Sequence, residues 1–438
     1  MPRLSSRVLN IAVVLAACGP GSDASGTDSA GSTVAAAEPT GESPTGTTGA
    51  EIPYCDVVLH AGSDDAAAVQ AALTDAAEGA TICFTGGEFA VPGASFSAAG
   101  TRSLTLAGGA DGNGATVFDF GAEGDGPGLL LTDAEDLTIN GLTLRNSGGD
   151  GLSIDGGARV AIRNVDVSWA GPSADNGAFG IKVRDVVDVL VANSEVSDAA
   201  DAGIWAGRSS NVIFTGNLAH GNVAGLEAEN CENVEIYDNE ARDNTVGIFV
   251  LDLPTQPGGN GGGVSVVDNQ IVDNNHANFA PAATLSASVP AGLGVLVLAV
   301  DEVEVRLNDI NGNATTGVLV VSFTTLSLLS GMSYDDPTFD PYPETVEIEL
   351  NQMLANGKAP ADLFVSLFMQ PMMPDIAWDG SVDAAKDNAD GHLDLCIHDN
   401  SDADFLNLDI ANVGANKSSD LSPHDCEYPQ RPPVENGL

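Results

Sequence analysis

Residues 203–224 read GIWAGRSSNVIFTGNLAHGNVA, and residues 225–246 read GLEAENCENVEIYDNEARDNTV. Another copy opens at Gly247, and looser copies open at Gly151, Gly180, Gly294 and Gly317. A period near 22 residues with three short apolar strands per copy means a coil of stacked parallel strands, a β-solenoid. Apolar residues alternate after each Gly: Ile204/Ala206, Leu226/Ala228 and Ile248/Val250 point inward, and their neighbours point outward. A second strand opens with Val212/Phe214, Val234/Ile236, Val264/Val266, Val303/Val305 and Val346/Ile348. Five positions after the first member of each pair comes an Asn: 217, 239, 269, 308 and 351. Asn tolerates the left-handed backbone of a tight corner, and stacked amides can bond from coil to coil, so this column reads as structural.

The same register exposes insertions. Two long connections, 251–263 and 324–343, leave one corner; two more, 171–179 and 275–292, leave another. Long loops on a regular scaffold usually carry function. Upstream, Val57-Val58-Leu59 reads as a strand, followed by AAAVQAALTDAA as a helix, with Asp64 as N-cap and Gly79 as C-cap. TICFTGGEF then returns to strand. A solenoid end exposes core and unpaired strand edges, so a helix there is a needed cover. Residues 351–438 show no repeat and read as a C-terminal cap.

The helix-then-strand order resembles the start of pectin-lyase-like right-handed β-helices. The run from Asp201 to Pro254, with NNHANFAP and VPAGLGVLVLA downstream, resembles a family of exported bacterial β-helix repeat proteins of undefined activity. The resemblance covers 125–350 closely. It implies an all-β fold: a single-stranded right-handed parallel β-helix over 52–350 with an N-terminal helical cap. It implies carbohydrate as substrate class and, if the chain is an enzyme, a hydrolase, lyase or epimerase. The paired-Asp hydrolase constellation, the lyases' basic cluster, a P-loop and a nucleophile elbow are all missing from the sequence.

The chain holds 62 acidic and 15 basic residues among 438, a formal net charge of −47. Such a surface repels nucleic acid and anionic lipid headgroups. It also opposes a polyanionic substrate unless divalent cations intervene, and Ca²⁺ is the cation that carboxylates would favour. The fragment Asp387-Asn388-Ala389-Asp390-Gly391 resembles a Ca²⁺ loop only faintly, and no other metal site is legible. At the N-terminus, a basic segment and a short apolar run end in Leu15-Ala16-Ala17-Cys18-Gly19. This resembles a bacterial lipobox, which implies a signal peptide over 1–18, lipidation of Cys18 and an outer-membrane lipoprotein held to the membrane by lipid alone. Residues 19–51, rich in Gly, Ser, Thr and Ala, read as a tether. In an exported chain, Cys55 with Cys83 and Cys396 with Cys426 are candidate staples at the two ends. Cys231 aligns with Ser209 and reads as a buried corner filler.

Outward positions of the first strand stack in two columns. One reads Lys182, Trp205, Glu227, Phe249; the other reads Arg184, Gly207, Glu229, Leu251, with Asp252 just beyond. Aromatics and acids on one face suit sugar recognition. Glu227 and Glu229 are the candidate catalytic pair, and Lys182, Arg184, Trp205, Phe249 and Asp252 the candidate substrate-binding groups. Leu251, Leu253, Leu296 and Leu319 near this face leave a second option open, a non-enzymatic scaffold docking a co-exported envelope protein.

Overall fold

The structure is a computed structural model. It describes residues 54–438 except 63–64, 255–258, 333, 384–385 and 387–393. The lipobox, Cys18, the tether, Asp64 and the 387–391 fragment lie outside the described residues.

Three faces of parallel strands wind around one core. The first face includes Ala202–Gly207, Ala224–Glu229, Val246–Leu251, Leu293–Leu298 and Thr316–Val321. The second includes Ser210–Thr215, Glu232–Tyr237, Gly262–Val267, Asp301–Arg306 and Val346–Glu349. In earlier coils these two faces run together, in Leu129–Asn140, Leu152–Arg163 and Phe179–Ala192. The third face is a ten-stranded sheet of short strands, from Gly87–Ala90 to Gln352–Leu354, giving one strand per coil. The inward residues expected from alternation are all buried: Ile204, Ala206, Leu226, Ala228, Ile248 and Val250 are at most 2% exposed.

Helix α1, Asp65–Thr74, covers the open end with Val69 and Leu73, which pack into the same core as Phe84, Phe89, Phe96 and Phe118. It stops five residues short of Gly79, which instead takes φ 79° in the turn leading to Thr81–Phe84. Both expected disulfides, Cys55–Cys83 and Cys396–Cys426, are formed. Cys231 is free and buried; its Sγ accepts from Ser209 N at 3.5 Å, and burial pushes the thiol up to about 12.

The Asn column forms a continuous ladder. In each step the Oδ1 of one Asn accepts both the N–H and the Nδ2 of the preceding Asn, from Asn217 through Asn239, Asn269, Asn308 and Asn351. These residues do not take the left-handed conformation. The residue before each one does: Gly216, Asp238, Asp268, Leu307 and Leu350 have φ between 55° and 65°. The ladder also continues to Asn400. A second ladder, not read from the sequence, runs through Asn222, Asn244, Asn274, Asn313 and Asn356 at the next corner.

Parallel pairing continues past residue 350. Ile376–Trp378 pairs with Thr316–Val321, Leu395–His398 with Val346–Glu349, and Phe405–Asn407 with Ile376–Trp378. The segment after Cys426 then runs back along the outside of the second face. Tyr428 N donates to Glu347 Oε1, Val434 N to Glu235 Oε2, and Asn436 Nδ2 to Val189 O.

Candidate functional site

The strand register places both outward columns as the repeat implied. Lys182 pairs with Trp205, Trp205 with Glu227 and Glu227 with Phe249; Arg184 pairs with Gly207, Gly207 with Glu229 and Glu229 with Leu251. The first column then continues through Leu296, Leu319 and Ala377. One end of the face is therefore charged and the other apolar.

Outward here does not mean solvent-facing. Trp205 is 6% exposed, Glu227 4%, Phe249 3% and Asp252 0%. The 275–292 connection, α2 (Phe323–Ser330) and α3 (Asp362–Phe368) contribute to a second apolar core outside the coil, with Trp205, Phe249, Leu296 and Leu319 in it. The indole of Trp205 lies across Gly207, where a Cβ would stand 2.0 Å from the ring. Only glycine lets it lie so close.

At the charged end, Lys182 Nζ is 3.2 Å from Asp150 Oδ2 and 5.0 Å from the centre of the Phe179 ring. Phe179 stacks, tilted, on Trp205 at 4.8 Å. Arg184 forms a forked pair with Asp155, which holds that carboxyl below the usual range. Trp205 Nε1 donates to Glu229 Oε2 at 3.3 Å. Burial pushes the Glu227 carboxyl well above its usual range, with Asp201 and Glu229 adding to the effect. Its Oε2 has no hydrogen-bond donor. Burial also raises Asp201, whose Oδ1 accepts from Ser286 Oγ on the 275–292 connection. The buried Glu227 and the half-buried Asp201, both raised by burial, thus share this end of the face with the ion-paired Asp150 and Lys182.

Asp252 stands apart from this group. Its Oδ2 accepts from Gly261 N at 2.6 Å, closing the 251–263 insertion, and burial pushes it up to about 7. Asn260 of that insertion bonds to the 324–343 insertion through Asp340 N at 2.9 Å. At the apolar end, Phe249, Leu285, Leu296, Leu319, Leu329 and Phe364 line a cavity of about 230 Å³.

Residues 110–275 match the right handed beta helix region family. No curated protein matches the chain. Among solved structures, this β-helix is similar to the A-module of the Azotobacter vinelandii mannuronan C-5 epimerase AlgE4, at 18% identity over 77% of this chain and 91% of that one, TM-score 0.48. It is also similar to a polygalacturonase from Erwinia carotovora ssp. carotovora, at 10% identity over 69% and 92%, TM-score 0.48. A third likeness is to an alginate lyase from Paenibacillus sp. str. FPU-7, at 15% identity over 68% and 86%, TM-score 0.37. At these values no residue role carries over.

Three members of the β-helix's charged end were missed from sequence: Asp150, Phe179 and Asp201. All lie one or two residues upstream of a coil's opening Gly, at 151, 180 and 203. Extending the register backwards by two positions would have found them. Ser286 carried no signal, because the 275–292 insertion has no repeat to align it.

Proposed function

We propose that this β-helix is an envelope-anchored protein that binds carbohydrate along the open half of its first face. The supporting observation is a strip of partly exposed groups across three coils: Leu130, Asp150, Asp155, Phe179, Lys182 and Arg184, walled at one end by Trp205. Coils spaced about 4.8 Å apart give this strip a span of about 10 Å along the solenoid. It combines an aromatic edge with acids and bases already held in place by one another, which suits hydroxyl recognition with little reordering on binding. Binding fits better than processing. A catalytic acid must come within about 3 Å of the proton acceptor, and Glu227 is only 4% exposed. Anchoring through Cys18 rests on the lipobox. The two disulfides fit an oxidising compartment. Among the described residues no helix is long and apolar enough to cross a membrane.

The test is a glycan array followed by calorimetry on the hit. Phe179→Ala and Lys182→Ala should each weaken binding at least tenfold with unchanged unfolding, whereas Glu227→Gln should bind as the parent does. The reading fails if no glycan binds, or if the first two variants match the parent. One observation favours a second reading, the docking of a co-exported protein: the 230 Å³ apolar cavity beside exposed Leu328 and Leu329. Against a net charge of −47, the docked segment would be apolar and flanked by basic residues. A photo-crosslinker at position 329 should then trap one basic-flanked envelope protein, and Leu329→Glu should abolish the cross-link.

A further inference from the structure

The second face carries a cluster outside the site described above. Glu304 pairs in register with Glu347, Arg306 with Glu349, and Glu349 with His398. Like charges directly opposite on neighbouring strands repel, yet Glu304 and Glu347 are opposite one another with Glu349 two residues along, and all three are buried: 4% exposed at Glu304, 3% at Glu347 and 6% at Glu349. One oxygen from each can be chosen so that all lie within 4.8 Å of one another. His398 Nε2 lies 3.1 Å from Glu347 Oε1 and 3.8 Å from Glu349 Oε2. The remaining partners are few. Ser265 Oγ donates to Glu304 Oε2 at 3.0 Å, and Tyr428 N donates to Glu347 Oε1 at 3.0 Å. Glu304 Oε1 and Glu349 Oε1 are shut off from solvent and receive no hydrogen bond. Arg306 Nε is 3.2 Å from Glu304 Oε1, but neither atom completes a hydrogen bond. A buried carboxylate oxygen without a donor is a costly arrangement that a cation relieves. A second acidic trio among the described residues, Asp301, Asp340 and Glu344, differs because Lys386 already bridges Asp340 and Glu344.

We infer that Glu304, Glu347, Glu349 and His398 form a binding site for one divalent transition-metal ion. The donor set decides the class. Ca²⁺ and Mg²⁺ take oxygen ligands, whereas three carboxylates with one imidazole suit Zn²⁺ or Mn²⁺. The site is closed from outside by the segment carrying Tyr428, Pro429 and Arg431, which lines a cavity together with Glu304 and Glu347. That segment is fixed by Cys396–Cys426, and Cys396 sits beside Glu347 in the sheet. The metal would therefore tie three successive coils together beneath this segment. Neutral imidazole is the ligand form, so binding displaces any proton on His398.

The oxidised chain, stripped with a chelator, is titrated calorimetrically with Zn²⁺, Mn²⁺ and Ca²⁺ in separate arms. The expected result is one site per chain, with Zn²⁺ or Mn²⁺ binding at least tenfold tighter than Ca²⁺. Glu349→Gln and His398→Gln should each weaken it at least tenfold with unchanged circular dichroism, while Glu78→Gln, at an exposed and distant position, changes nothing. Should the first two variants misfold, X-ray absorption on the Zn²⁺-loaded parent decides, since it must show imidazole scattering. Tightest binding by Ca²⁺, an all-oxygen shell, or undiminished binding in folded Glu349→Gln overturns the assignment.

Discussion

Replacing Asn239 by Leu should destabilise the coil by about 3–5 kcal/mol. The Asn239 amide has five hydrogen-bonding contacts: Nδ2 shares its two hydrogens among Phe214 O, Tyr237 O and Asn269 Oδ1, and Oδ1 accepts from Asn217 N and Asn217 Nδ2, all at 2.9–3.0 Å. Leucine removes them all. Asn217 Nδ2 keeps Val191 O, but the Asn217 backbone N–H loses its acceptor inside the protein, which costs about 1–3 kcal/mol. Net loss of the other bonds, at about 0.5–1.5 kcal/mol each and partly offset by leucine's burial, supplies the rest. Backbone strain adds nothing, because Asp238 rather than Asn239 takes the left-handed φ of 55°. Asn400→Leu removes four bonds and orphans Asn351 N, so it should cost about 2–4 kcal/mol even though Asn400 lies outside the sequence repeat. Urea unfolding followed by far-ultraviolet circular dichroism reads both variants as midpoint shifts at constant slope. An unmoved midpoint for Asn239→Leu would refute the ladder as a stabilising element. A negligible shift for Asn400→Leu alone would confine it to the repeats.

Cys18→Ser should leave the protein unprocessed or soluble in the periplasm; fractionation with the outer membrane, unchanged, would refute lipid anchoring. Asp252 titrates at about 7 in the fold, above its ordinary 3.8, chiefly through burial, with Asp301 and Glu229 contributing. The folded state therefore holds a proton that the unfolded state releases. Its contribution is fully present below pH 3.8, shrinks as pH rises through that window and is gone above about 7. Relative to Asp252→Asn, the parent should lose stability from pH 4 to pH 7, and parallel stability–pH curves would contradict the assignment. Cys231, with its thiol pushed up to about 12, should resist a thiol-reactive dye at pH 8 until the chain is unfolded.

The coil was legible because it repeats. The Gly203 and Gly225 copies align without a gap, so inside and outside followed from alternation, and the column order Lys182–Trp205–Glu227–Phe249 matched the strand register. Burial of the outer face was not legible. Trp205 and Phe249 look like surface groups on any single coil, and the apolar cluster they join draws on 275–292, α2 and α3, segments with no periodicity to align. The second Asn ladder was missed for a different reason. Asn222, Asn244 and Asn274 end their coils, at the far side of the repeat from the Gly that opens each copy. The strands after residue 350 escaped because Ile376–Trp378, Leu395–His398 and Phe405–Asn407 are separated by irregular lengths of chain.

The segment that returns along the second face changes what kind of polymer this is. In a plain solenoid each coil touches only its neighbours, so either end can fray without the other sensing it. Here Asn436 bonds to Val189 across 247 residues, and Val434 bonds to Glu235 across 199. Those contacts carry a high loop-closure cost and can form only after the intervening coils are stacked. A chain threaded outward from its N-terminus would build its coils in order, yet the coil at Val189 would remain unfinished until residue 436 had followed. The segment thereby turns a row of locally stable units into one cooperative block, whose unfolding should be sharper than its nearest-neighbour architecture alone would give.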